Sequence, residues 1–131
     1  MNVERMIAVR DAILEKPERL EMATVHRRRG WRVQHCIFGM VQVMYSPHWR
    51  DRVFGGYFAA YRDDSILMAL VDLDYSEGME LFHRAFWPEG LRKQYELGTQ
   101  IGSSTIRALA AAEAINQFID KHTYLKPVNA A

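Results

Sequence analysis

The side chains best equipped to do chemistry in this 131-residue chain are its arginines. Arg27, Arg28 and Arg29 run consecutively, Arg32 follows after Gly30-Trp31, and Arg50 and Arg52 form a second basic cluster beside Trp49. A guanidinium presents a fixed fork of donors that matches carboxylates and phosphates. Neighbouring indoles offer faces on which bases or apolar side chains can stack. The set therefore suits an acidic protein, since arginine and tryptophan dominate protein–protein hot spots. It suits nucleic acid equally, through phosphate contact with base stacking. The plainer alternative is a solvated arginine loop, with Trp31 and Trp49 as lids on the core.

Other chemistry fares worse. His26, His35, Cys36 and His48 are the concentrated metal-ligand types, but no Cys-x-x-Cys or His-Glu-x-x-His spacing is present, so no metal and no cofactor is expected. Cys36 falls on an apolar stripe, which argues for a small core residue over an exposed thiol nucleophile. Asp72, Asp74, Glu77 and Glu80 flank a helix start, where acids are stabilising in any case. The stretch Gly98 to Thr105 opens a helix, as a phosphate loop does, but it has no lysine and the wrong glycine spacing for one. Nothing assembles a catalytic constellation, and the reading leans away from an enzyme.

The elements that would hold the arginines read as helices. Val33, Cys36, Ile37, Met40, Val41 and Met44 follow the spacing of one helix face, predicting a buried central helix over Val33–Tyr45. At 1.5 Å per residue that rod spans about 20 Å, with the two basic clusters at its ends. Asn2 and Glu4 open a first helix, which Pro17 ends near Glu15. Trp49, Val53, Phe54, Tyr57, Phe58 and Tyr61 predict a helix from His48 to Arg62, although Gly55-Gly56 also satisfies a small hairpin over 52–61. Asp63-Asp64-Ser65 caps a short apolar helix from Ile66 to Val71. Ser76 caps the next, which Pro88 stops after Trp87. A short helix near Leu91–Leu97 runs into a loop, and Ser103-Ser104 caps the longest helix, Thr105 to about His122. Tyr124 to Ala131 is a fraying tail. The expectation is a mostly α, compact single domain over 1–123, with five to six helices.

Nearly half of the residues are apolar and a quarter are charged, the balance of a globular chain. One cysteine excludes an internal disulfide and points to the cytoplasm, and no apolar run reaches transmembrane length. The net charge of +1 hides an asymmetry, because residues 1–62 hold eleven Lys/Arg against six Asp/Glu, and residues 63–131 hold six against ten. Such a dipolar chain favours acidic partners or head-to-tail self-association as a homo-oligomer.

Several short motifs recur in an order found elsewhere. Asn2 and Arg5 fit Asn-x-x-Arg; Pro17, Leu20 and Met22 fit a Pro-x-x-Phe-x-Met turn; and Cys36-Ile37-Phe38-Gly39-Met40-Val41 fits the end of Cys-Gly-Thr-x-x-Cys-Ile-Ala-Gly-Trp-Ala. Leu81-Phe82, Trp87-Pro88, and Ala111-Ala112 with Ile115 and Phe118-Ile119 follow. In this the chain resembles a group of small bacterial, plasmid and phage proteins. It lacks their first cysteine with its Gly-Thr, and it has Phe38 and Met40 where they have Ala and Trp. The resemblance implies a mobile-element accessory protein, and no activity or site residues. The functional expectation is a non-enzymatic interaction protein, with Arg27, Arg28, Arg29, Arg32, Arg50 and Arg52 as charge donors and Trp31 and Trp49 as anchors. Direct nucleic-acid binding by the same surface is the alternative.

Overall fold

The computed structural model describes residues 1–23, 26–29, 32–46 and 68–124. The predicted helix over 48–62, its hairpin alternative at 52–61, and Trp31, Trp49, Arg50, Arg52 and the tail beyond Tyr124 lie outside them. In chain order the elements are α1 (Val3–Glu15), a 3-10 turn (Pro17–Arg19), β1 (His26–Arg29), β2 (Arg32–His35) and α2 (Ile37–Tyr45). Then come α3 (Tyr75–Phe82), a second 3-10 turn (Arg84–Phe86), α4 (Glu89–Gln100) and α5 (Ser104–Tyr124). The fold is mostly helical, as expected.

α5 has the widest contacts, lying along α4 on one side and α1 on the other. Its inward stripe of Ala108, Ala111, Ile115 and Phe118 is buried. Small residues let the helix axes approach, and the larger ones fill the widening gap toward its end. Ser103 Oγ accepts from the Ile106 backbone N–H at 3.2 Å, the cap read from sequence. α1 begins on Asn2, whose side chain accepts from Arg5 N at 3.0 Å. Arg5 donates from Nη1 to the Leu70 carbonyl at 2.7 Å and lies 4.5 Å over the Tyr45 ring, fastening α1 to the end of α2.

Four boundaries differ from the sequence expectation. Val33–His35 is strand, and α2 starts at Ile37 with Cys36 as its N-cap: Cys36 Sγ accepts from Gly39 N at 3.4 Å. Met68 and Ala69 are helical, but the helix closes there in a Schellman turn. Leu73 N reaches the Met68 carbonyl at 3.0 Å, Asp72 N reaches Ala69 at 3.2 Å, and Asp72 takes φ 54°. Asp74, not Ser76, caps α3 through a reciprocal capping box with Glu77, and α3 ends at Phe82, before Trp87. The loose stretch after Glu89 is one continuous helix to Gln100. Gly98 does not break it, because that glycine is the contact point with α5: a Cβ there would stand 3.0 Å from both Arg107 N and the Ser103 carbonyl.

A basic ribbon and its base

The arginine run is one strand of a two-stranded antiparallel ribbon. His26 pairs with His35, Arg27 with Gln34, Arg28 with Val33 and Arg29 with Arg32. Strand residues alternate faces, so positions 27, 29, 32 and 34 share one face and 26, 28, 33 and 35 the other. His35, at the base of the ribbon, is buried at 5 % exposure. Arg29 pairs directly with Arg32, a like-charge pair that disfavours the ribbon in isolation.

The ribbon is tied down at its base. Leu20 forms a parallel bridge with His35, and Glu21 N donates to the His35 carbonyl at 2.8 Å. Gln34 Nε2 donates to the Glu18 carbonyl at 3.1 Å. The next backbone donor, Met22 N, reaches the phenol oxygen of Tyr95 at 2.8 Å. Tyr95 is 1 % exposed, sits edge-on to Trp87 with ring centroids 5.8 Å apart, and has its phenol pKa raised by burial. Trp87 in turn donates from Nε1 to the Leu81 carbonyl at 2.7 Å. The third tryptophan is therefore a core residue that links α3, α4 and the ribbon's base.

Of the eight residues singled out from sequence, the structure brings Arg27, Arg28, Arg29 and Arg32 together in one ribbon. The expected basic loop capping a helix N-terminus is thus corrected to paired strand. The apolar positions of Val33, Cys36 and Ile37 satisfy helical spacing and strand pairing alike, and the pairing edge at Leu20 and Glu21 decides for the strand.

A second feature had no sequence signal. A groove of about 330 Å³ opens beside α3 and α5, floored by Leu81, Trp87, Ala114 and Phe118 with Phe86 at its rim. Glu80 and Lys121 are its charged lining residues, and they pair at 2.6 Å. His122 lies 3.1 Å from Glu80 through Nε2 and 3.4 Å from Glu77 through Nδ1, so both ring nitrogens face carboxylates. Burial raises the Glu80 pKa, but hydrogen bonds from Lys121 and His122 outweigh it and the net shift is downward. These groups fasten the end of α5 to α3. Of the acidic cluster read from sequence, Glu77 and Glu80 serve this clasp, Asp74 and Glu77 form the capping box, and Asp72 closes the turn before α3. Among the described residues no three His, Cys, Asp or Glu side chains are placed to hold a metal, and no helix is long and apolar enough to cross a membrane. No protein-family model, curated protein or solved structure matches this chain.

Proposed function

We propose that this chain is a non-enzymatic interaction protein that binds an acidic macromolecular partner through the ribbon of Arg27, Arg28, Arg29 and Arg32. The resemblance noted above supports placing it among phage- or plasmid-associated accessory proteins. The observation that carries the proposal is the register that sets Arg27, Arg28, Arg29 and Arg32 on one two-stranded element, with Arg29 opposite Arg32. Concentrating like charge on a two-stranded element opposes its own pairing. An anionic partner reverses the sign of that term, so binding stabilises what the free protein holds under repulsion.

The test is anisotropy of two labelled probes, poly-L-glutamate and a DNA duplex, against wild type and an Arg27→Ala/Arg28→Ala/Arg29→Ala variant. The reading requires wild type to bind at least one probe and the variant to bind it about tenfold or more weakly. Equal binding by the two proteins sinks it. Direct nucleic-acid binding is the second reading, favoured by the dimensions of the element. A two-stranded ribbon is one of the shapes that enter the duplex major groove, which is about 12 Å wide. It requires an affinity that falls steeply with salt and depends little on base sequence.

A further inference from the structure

His122 stands in the last turn of α5 with a carboxylate of α3 at each ring nitrogen. Nδ1 lies 3.4 Å from Glu77 Oε2, and Nε2 lies 3.1 Å from Glu80 Oε2. The other oxygen of each carboxylate is already held. Glu77 Oε1 accepts from Asp74 N at 3.1 Å in the capping box, and Glu80 Oε1 meets Lys121 Nζ at 2.6 Å. On its own helix, Phe118 sets its ring 4.3 Å from the imidazole, centroid to centroid. Among the described residues, Lys121 and His122 are the only basic side chains within pairing distance of Glu77 or Glu80. The His122 side chain is 19 % exposed, open enough to exchange a proton with water and enclosed enough to limit screening by salt.

A neutral imidazole has one N–H donor and one lone pair. It can donate to one of these carboxylates, and it then turns the lone pair toward the other. The imidazolium donates to both, and such charge-assisted bonds are about twice as strong as neutral ones. Net charge points the same way. With the ring neutral, two carboxylates and one ammonium leave an uncancelled negative charge, which the imidazolium removes. A phenyl ring at this range attracts a cation, and so does the C-terminal end of a helix. Imidazole ordinarily titrates between about pH 5 and 8. Burial raises the Glu80 pKa but hydrogen bonds from Lys121 and His122 lower it by more, so that carboxylate is ionised throughout this range.

We propose that His122 is a proton-operated fastener: its imidazolium bridges Glu77 and Glu80 and holds the last turn of α5 on α3, and loss of the proton loosens that end of the fold. The folded chain binds this proton more readily than the unfolded chain does. Its contribution is therefore present at mildly acid pH and lost as pH rises through the imidazole range. Glu80 and Lys121 are also the charged lining of the groove between α3 and α5, so the same proton acts on the groove's wall. The device is independent of the ribbon and of what the ribbon binds.

The experiment measures the melting temperature of the full chain from pH 5.5 to 8.5 at fixed ionic strength. Wild type is compared with His122→Gln and with Glu77→Gln/Glu80→Gln, in which glutamine at 77 still serves a capping box. Subtracting each variant from wild type cancels the other four histidines. Wild type should exceed His122→Gln by about 1–3 °C at pH 5.5, and the gap should close to within about 0.5 °C at pH 8.5. The gap to the carboxylate variant should shrink by a similar amount over the same range, on top of a constant offset from the lost Lys121 pair. A His122→Gln gap that stays flat would mean that burial of the ring cancels the pull of the carboxylates, and it overturns the fastener. A gap that widens with pH overturns it too. Shrinkage with His122→Gln but not with the carboxylate variant assigns the proton to other neighbours and also overturns it. Should His122→Gln fail to fold, the carboxylate variant decides alone by the same criterion.

Discussion

α4–α5 and β1–β2 are both contacting pairs of elements adjacent in the chain, yet different physics holds them. Between the helices, Gly98 brings α4 to within contact of the α5 backbone, and buried side chains such as Tyr95, Ala108 and Ile115 fill the interface. That pair is stabilised by removal of apolar surface from water. The ribbon has backbone pairing over four positions and two arginines set against each other. Its fixed points are at its base, through Leu20, Glu21 and Gln34. The lesson is a division of labour. Stability resides where packing is dense, and charge is concentrated where the fold has little to lose by it.

The largest effect should come from the dense side. Ile115 has no exposed surface, and Ile115→Ala should cost about 2–5 kcal/mol through reduced burial and a cavity. Urea unfolding measures it, and a loss under about 1 kcal/mol would mean that the interface is loosely packed. Gly98→Ala sets a helix-propensity gain of up to about 1 kcal/mol against overpacking of about 1–3 kcal/mol. A net loss is expected, and a higher melting temperature would show that α4 and α5 have room to separate. At the junction of the two regions, Cys36→Ala removes the α2 cap and should cost about 1 kcal/mol, read from the same unfolding curves.

The ribbon should behave the other way. Arg29→Thr removes the like-charge pair and suits a strand, so stability should hold within about 0.5 kcal/mol or rise slightly. Binding to the anionic probe should weaken in the same variant. A marked destabilisation would move the ribbon to the structural side of the comparison. The α3–α5 clasp gives the smallest effect. The Glu80 pKa is lowered in the folded state, so its contribution is complete above the unfolded value near 4.5 and fades as pH falls through the lower folded value. Glu80→Gln should therefore flatten the acid limb of melting temperature against pH. An unchanged acid limb would remove Glu80 from the clasp.

The frame was legible in the sequence wherever a cap and a stripe coincide. Asn2 with its following apolar positions gave α1, and Ser103 with the alanine stripe gave α5, because capping and amphipathic spacing are local properties of the chain. The Asp74-x-x-Glu77 capping box was also present in the sequence, and Ser76 drew the boundary away from it. What reads as one helix from Val33 to Tyr45 is strand, cap and helix. Val33 and His35 at alternate positions are too few to show a period of two, and Val33, Cys36 and Ile37 also match helical spacing. Only the edge offered by Leu20 and Glu21, distant in sequence from β2, makes the strand the better use of those backbone groups.

The glycines of α4 show the same limit. Gly98 reads as a breaker by propensity, and it is a contact because Arg107 of another helix lies against it. The stacking of Arg84 over the Tyr95 ring had no sequence signal at all, since the two belong to different elements. Sequence alone determined the residue types, the helix caps and the clustering of positive charge at Arg27–Arg32. Tertiary structure decided which arginines share a ribbon, which glycine is a contact and which phenol is buried. Those outcomes depend on pairing and packing between segments far apart in the chain, and local pattern carries no record of such contacts.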